Sequence, residues 1–263
     1  MKNNKKTFGF TLVEMSIVLV VIGLLTGGIM AGKSLIRTAE IKSVTNDVGK
    51  YQDAVRIFSD KYASLPGDMP DAISVWGFVH ATPATCETTV GTGTATCNGN
   101  GDGAILHGAG GTFYSETFRA WQQLANAGLI EGSYTGVTGS GGVVHGVPGT
   151  NIPAGKINGS GAAFYDHGGD PYSDANWLSA YYQTMMIYGS KSTTGLPAGV
   201  IFKPSEMVSI DSKMDDGKPY TGRLMVFTSG MNAGCTTANT AAADYLLSND
   251  AITCTLILLR VSE

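Results

Sequence analysis

The first pattern along the chain is a nearly unbroken apolar run from Phe10 to Ala31, FTLVEMSIVLVVIGLLTGGIMA, whose one charged residue is Glu14. Its 22 residues are enough to cross a bilayer as a helix. Beyond it, apolar residues recur at Ile41, Val44, Val48, Tyr51, Val55, Phe58 and Tyr62, in alternating steps of three and four. That spacing predicts an amphipathic helix. Arg37, Lys42, Asp47, Lys50, Asp53, Arg56 and Asp60 fall on its other faces, with Arg56 and Asp60 set as an i,i+4 pair. Gly27, Gly28 and Gly32 each cost about 1 kcal/mol against alanine, yet nothing between Phe10 and Ala63 forces a stop. One helix is therefore expected, about 80 Å long at 1.5 Å per residue, ending around Leu65-Pro66-Gly67-Asp68. The heptad-like stripe spans only about three heptads, too few for a convincing coiled coil, so packing against a sheet is expected.

Later signals are shorter. Ser115 is placed to cap a helix with Phe118, Trp121 and Leu124 or Ala125 on its apolar face and Gly128 as its stop. Pro204 suits the first turn of another, carrying Met207, Ile210 and Met214. Ala198 to Phe202, Arg223 to Thr228 and Ile252 to Arg260 read as strands, and residues 173–189 are ambiguous. No regular alternation of strand and helix is visible, so an α+β head with a mainly antiparallel sheet is expected.

Composition adjusts this picture in three ways. Many of the 36 glycines lie between residues 91 and 169, where periodic spacing disappears, so long loops are expected there. The net charge is −4, and loss of residues 1–9, which carry Lys2, Lys5 and Lys6 and no acid, takes it to −7 before the new amine is counted. A nucleic-acid-binding surface is not expected. The four cysteines, Cys86, Cys97, Cys235 and Cys254, allow three connectivities. Local pairing, Cys86 with Cys97 and Cys235 with Cys254, closes two polar loops and is worth about 2–4 kcal/mol for each.

The chemistry of the N-terminus is more specific. Lys2, Lys5 and Lys6 before the apolar run place the N-terminus in the cytoplasm and the head outside it, where disulfides persist. The run is longer than a secretory h-region and contains an acid. A carboxylate in the bilayer costs about 2.5–3.5 kcal/mol, so a plain anchor has no reason to carry Glu14. The α-amino group of another subunit, freed by a cut between Gly9 and Phe10, would neutralise it.

A short basic leader ending in Gly9, followed by Phe10-Thr11-Leu12-Val13-Glu14, resembles the class III leader of type IV pilins and type II secretion pseudopilins. The resemblance implies cleavage by prepilin peptidase after Gly9, N-methylation of Phe10 and an assembly role for Glu14 with the amine of a neighbouring subunit. It also implies an inner-membrane precursor with its head in the periplasm, an inner-membrane assembly platform, and copies of itself or other pilins as partners. Many members have a proline near the end of the run, where this chain has Ala31, so any kink here would come from glycine. The phrases YASLPGDMPDA (62–72), FRAWQQLANAGLIEG (118–132) and IDSKMDDGKPYTG (210–222) resemble segments of large pilin-like proteins of Gram-negative bacteria. The resulting division is a leader at 1–9, a transmembrane and assembly helix at 10–32, an amphipathic helix at 33–64 and a head at 65–263.

No cofactor is required by this reading, but two places invite Ca²⁺. Asp211 and Asp215 sit at i,i+4 near a helix C-terminus, with Asp216 following, so like charges crowd where the helix dipole repels them. Lys213, Lys218 or a simple turn at Asp216-Gly217 would relieve the same conflict. Asn98, Asn100 and Asp102 mimic the start of an EF-hand loop, but position one is not aspartate and the expected bidentate glutamate is Ala109, which favours an Asx-turn loop. His80, His107, His145 and His167 are scattered, and no hydrolase or phosphate-loop motif occurs, so an enzyme is not expected. A membrane-anchored periplasmic enzyme or binding protein stays open as the rival, as do three roles for a fibre subunit: secretion, adhesion or motility, and DNA uptake or priming.

Overall fold

The protein is described by a computed structural model covering residues 10–106, 116–142, 144–166 and 183–261. It is α+β, with a long N-terminal helix α1 (Leu12–Tyr62) and a four-stranded antiparallel sheet of β1 (Ser160–Tyr165), β2 (Met185–Ser190), β3 (Leu224–Met225) and β4 (Leu256–Leu258) in the order β1-β2-β4-β3. Between and after these come α2 (Ala72–Trp76), α3 (Pro83–Thr88), α4 (Glu116–Asn126), α5 (Pro204–Met214) and α6 (Ser229–Asn232). Contacts divide the chain into two units, Met1–Lys42 and Ser43–Glu263, with the boundary inside α1.

In the first unit α1 is long and apolar enough to cross a membrane, and its side chains from Leu12 to Met30 are exposed to their surroundings on every face. The helix passes through Gly27, Gly28 and Gly32 without a break. The hydroxyls of Ser16 and Thr26 are satisfied within the helix: Ser16 donates to the Val13 carbonyl at 2.9 Å and Thr26 to that of Ile22 at 2.9 Å. A hydrocarbon environment tolerates such residues only when they are bonded internally.

In the second unit the expected stripe is the buried one, with Val44, Val48, Val55 and Phe58 at 1% exposure or less. Tyr51 meets Trp121 of α4 edge-on at 5.0 Å, and Trp121 stacks on Phe164 of β1 at 4.2 Å. Tyr188 of β2 donates to the Asp47 carboxylate at 3.5 Å. Trp121 of α4 thus stands between Tyr51 of the stripe and Phe164 of the sheet, while Tyr188 reaches α1 directly. Arg56 and Asp60 are both exposed, and no ion pair joins them among the described residues; the pair found on α1 is Arg37 with Glu40, at 3.3 Å. The helix closes at Ala63, whose φ of 53° is left-handed, before Pro66 is reached.

The glycine-rich stretch holds more structure than its composition predicts. Ser160-Gly161-Ala162-Ala163 is poor in strand formers but forms β1, and a Cβ at Gly161 would stand 2.8 Å from the Pro153 carbonyl oxygen. β1 and β2 are buried on both faces for five of their six residues, which removes the alternation by which strands are read. Ala198 to Phe202, expected as a strand, instead makes isolated bridges from Gly199 to Ser190 and from Phe202 to Cys254. The two other expected strands are shorter than drawn: the ladders cover only Leu224–Met225 and Leu256–Leu258, and Cys254 makes no more than the isolated bridge to Phe202. Residues 173–182 of the ambiguous segment, and Ser115, lie outside the described residues.

α4 forms where expected, but it is buried on more than its apolar face. Phe118, Trp121 and Leu124 are buried as expected, but so are Arg119, Gln122 and Gln123. Their polar groups bond the loop closed by the Cys86–Cys97 disulfide. Arg119 donates to the carbonyls of Cys86 at 2.7 Å and Thr89 at 3.1 Å, Gln122 to Ala95 at 3.2 Å, and Gln123 to Cys97 at 3.3 Å. Gln123 also accepts from the Gly67 amide at 2.7 Å, and a Cβ at Gly67 would stand 2.3 Å from the Glu116 carbonyl oxygen. Gly128, with φ 72°, ends the helix as expected. The second disulfide joins Cys235 to Cys254, so both bridges are the local ones.

Phe58 is fully buried against Tyr62 at 4.6 Å and Trp76 at 6.0 Å. Phe58→Ala is expected to destabilise the head by about 3–5 kcal/mol, read as a lower denaturant midpoint with the slope unchanged.

Candidate functional site

The chain enters α1 through Phe10, which is 80% exposed, and Thr11. Thr11 is the residue before the first helical turn and Glu14 the third residue of that turn, and they bond reciprocally. The Thr11 amide and hydroxyl each donate to Glu14 Oε2 at 2.8 Å, while the Glu14 amide donates to Thr11 Oγ1 at 3.2 Å. This is a capping box, which satisfies amides that the first turn leaves without helical partners. The carboxylate also lies at the positive end of the helix dipole. Glu14 thus has partners in its own chain, which a count of charges along the run overlooks. The Thr-x-x-Glu spacing ahead of an apolar run was the available signal. Gly9, on the other side of the expected cut, lies outside the described residues.

The structure also brings Asp211, Asp215 and Asp216 together, with one carboxylate oxygen of each within 4.8 Å of the others. Asp211 is fully buried, and burial above all pushes its carboxyl up to about 6. It accepts from Tyr245 at 2.7 Å and from the Gly217 amide at 3.1 Å. Asp215 accepts from the Arg223 amide and from the Leu224 amide at 2.9 Å, with Gly222 leaving room for its carboxylate. Asp216 accepts from the Lys218 amide at 2.8 Å and the Thr221 hydroxyl at 2.5 Å, and Lys218 itself pairs with Asp244 at 2.5 Å. Protein donors thus reach every member of the cluster, and the carboxylates fold residues 215–224 back from α5 to β3.

Asn98, Asn100 and Asp102 occupy a loop whose amides point at carboxylates. The Asn98 side chain accepts from the Ile73 amide at 2.9 Å. Asn100 accepts from the Asp102 amide at 3.0 Å, and Asp102 from the Ala104 amide at 2.9 Å. The last two are Asx-turn bonds. Asp68 accepts from the amides of Gly101, Asp102 and Gly103, and Glu116 from those of Asn100 and Leu106. Sequence reading singled out neither Asp68 nor Glu116, because their donors are backbone amides that no side-chain pattern writes.

Residues 4–30 match the family model described as the prokaryotic N-terminal methylation motif, the prepilin-type signature of type IV pilins and pseudopilins. Residues 4–30 thus carry the motif that type IV pilin-like precursors share, and the apolar helix fits a membrane-anchored form. No curated protein and no solved structure matches it.

Asp215→Ala is expected to lower stability by about 1–3 kcal/mol for each amide left unpaired, measured by thermal melting of the purified protein. The native midpoint is expected to be the same in Ca²⁺ and in chelator, since protein donors already reach the three carboxylates. A midpoint raised by Ca²⁺ and not in Asp215→Ala would reassign them as metal ligands.

Proposed function

We propose that the chain is a structural subunit of a type IV pilus-like or type II secretion pseudopilus fibre. The observation that carries this is a prepilin-type motif running directly into a helix whose large apolar side chains from Leu12 to Met30 are all exposed. The precursor sits in the inner membrane with its leader in the cytoplasm and its head in the periplasm. Prepilin peptidase cuts between Gly9 and Phe10, and the new amine of Phe10 is methylated. An assembly platform in the inner membrane then moves the subunit from lipid into a fibre, where α1 packs against copies of itself or other pilins. Two disulfides fit a head that folds in an oxidising compartment. This function needs no catalytic residue in the chain.

In the fibre, Glu14 meets the amine of a neighbouring subunit and fixes its axial register, since pairing removes two charges from an apolar surrounding. The capping box favours a second reading, in which Glu14 only starts the helix of an anchored periplasmic enzyme or binding protein.

Presence of the native chain in sheared fibres separates the two readings, and one substitution then separates the two roles of Glu14. Glutamine keeps the acceptor that a capping box uses but carries no charge. Under the fibre reading, Glu14→Gln and Glu14→Ala both reduce the subunit in sheared fibres by more than about tenfold, a change worth 1.4 kcal/mol. Incorporation by Glu14→Gln at the native level would leave Glu14 as a cap. Processing is tested separately, by N-terminal sequencing and mass of the membrane-extracted protein. The mature chain is expected to begin at Phe10 with one methyl group, and a chain beginning at Met1 would refute the cleavage.

A further inference from the structure

Five places in the chain set an asparagine or aspartate directly before a glycine: Asn98-Gly99, Asn100-Gly101, Asp102-Gly103, Asn158-Gly159 and Asp216-Gly217. Such pairs are prone to main-chain cyclisation near neutral pH. The glycine nitrogen has no side chain beside it, so it can attack the preceding side-chain carbonyl and close a five-membered succinimide. The first residue of every pair is exposed, so exposure does not tell the pairs apart. The glycine amides do.

Four of the five nitrogens are engaged. The Gly99 amide donates to the Met69 carbonyl at 2.9 Å, and that of Gly101 to the Asp68 carbonyl at 3.0 Å and to Asp68 Oδ1 at 2.6 Å. Gly103 donates to Asp68 Oδ2 at 2.9 Å, and Gly217 to Asp211 Oδ1 at 3.1 Å. An amide already donating to an oxygen must give up that bond before its nitrogen can attack. The side chains of Asn98 and Asn100 are tied as well, by the amides of Ile73 and Asp102.

Asn158-Gly159 differs on each count. The pair occupies the two central positions of a turn that the Ser160 amide closes on the Ile157 carbonyl at 2.9 Å, and Gly159 has a φ of 73°, a conformation that favours glycine. The Gly159 carbonyl accepts from the Lys191 amide at 2.8 Å. Among the described residues, no acceptor meets the Gly159 amide and no partner meets the Asn158 side chain.

We propose that Asn158 is a site of spontaneous deamidation, and that the bonds made by their glycine amides protect the other four pairs from succinimide formation. The Gly159 nitrogen loses its proton and bonds to Asn158 Cγ, the bond from Cγ to the side-chain nitrogen breaks, and ammonia leaves. Water then opens the succinimide. Breaking the bond from the imide nitrogen to Cγ leaves aspartate, whereas breaking the bond to the Asn158 carbonyl carbon leaves isoaspartate, with the main chain running through Cβ.

Either product puts a carboxylate near Lys191, whose Cε lies 3.9 Å from where a Cβ on Gly159 would stand. Isoaspartate also adds one carbon to the main chain just before β1, whose first pair is Ser160 with Ser190. The turn therefore records the age of the folded chain, whichever function the head serves.

The test is ageing of the purified full chain in detergent at neutral pH, followed by peptide mass spectrometry that separates isoaspartate from aspartate. Asn158 is expected to convert about tenfold faster than Asn98 or Asn100, the ratio that one hydrogen bond of ordinary strength gives. In chain reduced and held unfolded in denaturant, the three asparagines are expected to convert at similar rates. Asn158→Gln, whose longer side chain closes a ring far more slowly, is expected to abolish the acidic form that ageing produces on isoelectric focusing. The proposal is overturned if Asn158 ages no faster than Asn98 and Asn100 in the folded chain, if the difference persists in the unfolded chain, or if the acidic form survives Asn158→Gln.

Discussion

The head is built on one constraint: every peptide group that its loops carry inward must find a partner without a ladder to supply it. Regular strands account for little of the described part of this unit, and its loops contribute buried residues such as Ile105, Val137 and Ile152. An unpaired buried amide or carbonyl costs about 1–3 kcal/mol, so a loop-rich core survives only if side chains replace the missing ladders. α4 meets that need with Arg119, Gln122 and Gln123, while Asp68 and Glu116 do the same for the adjacent turn. Asn151 repeats the device, donating to the carbonyls of Val137 and His145 and accepting from the Val147 amide.

This explains which parts of the fold were legible in the sequence. The stripe on α1 and the face of α5 were, because helical periodicity records burial on one side, and Val48, Phe58, Met207 and Ile210 are buried where it places them. The local disulfides were also anticipated. α4 was half legible: its aromatic face was visible, but Arg119 and Gln123 look like a solvated face until the loop they bond is in place. β1 was hidden by small residues that close approach requires, and Ala198 to Phe202 has strand-like residues without a continuous partner.

The candidate sites divide in the same way. The prepilin-type motif is local, so its residues were readable in a row, and Asp211 with Asp215 follows from helical spacing alone. Asp68 and Glu116 were not, since one lies in a turn phrase and the other opens a helix. The three phrases resembling large pilin-like proteins contain Asp68, then Arg119, Gln122 and Gln123, then Asp211, Asp215 and Asp216. Each of these phrases therefore includes the groups that tie a loop down, which gives a structural reason for such sequences without assigning them an activity.

On the proposed fibre role, the bonds between Thr11 and Glu14 change how entry into a fibre is pictured. An acid without partners in lipid would be drawn to any amine that approached, and its pairing would be governed by affinity alone. An acid already held by an amide and a hydroxyl has something to give up. Joining the fibre then becomes an exchange of partners with a barrier of its own, and a lone subunit can wait in the membrane without being forced into premature contacts.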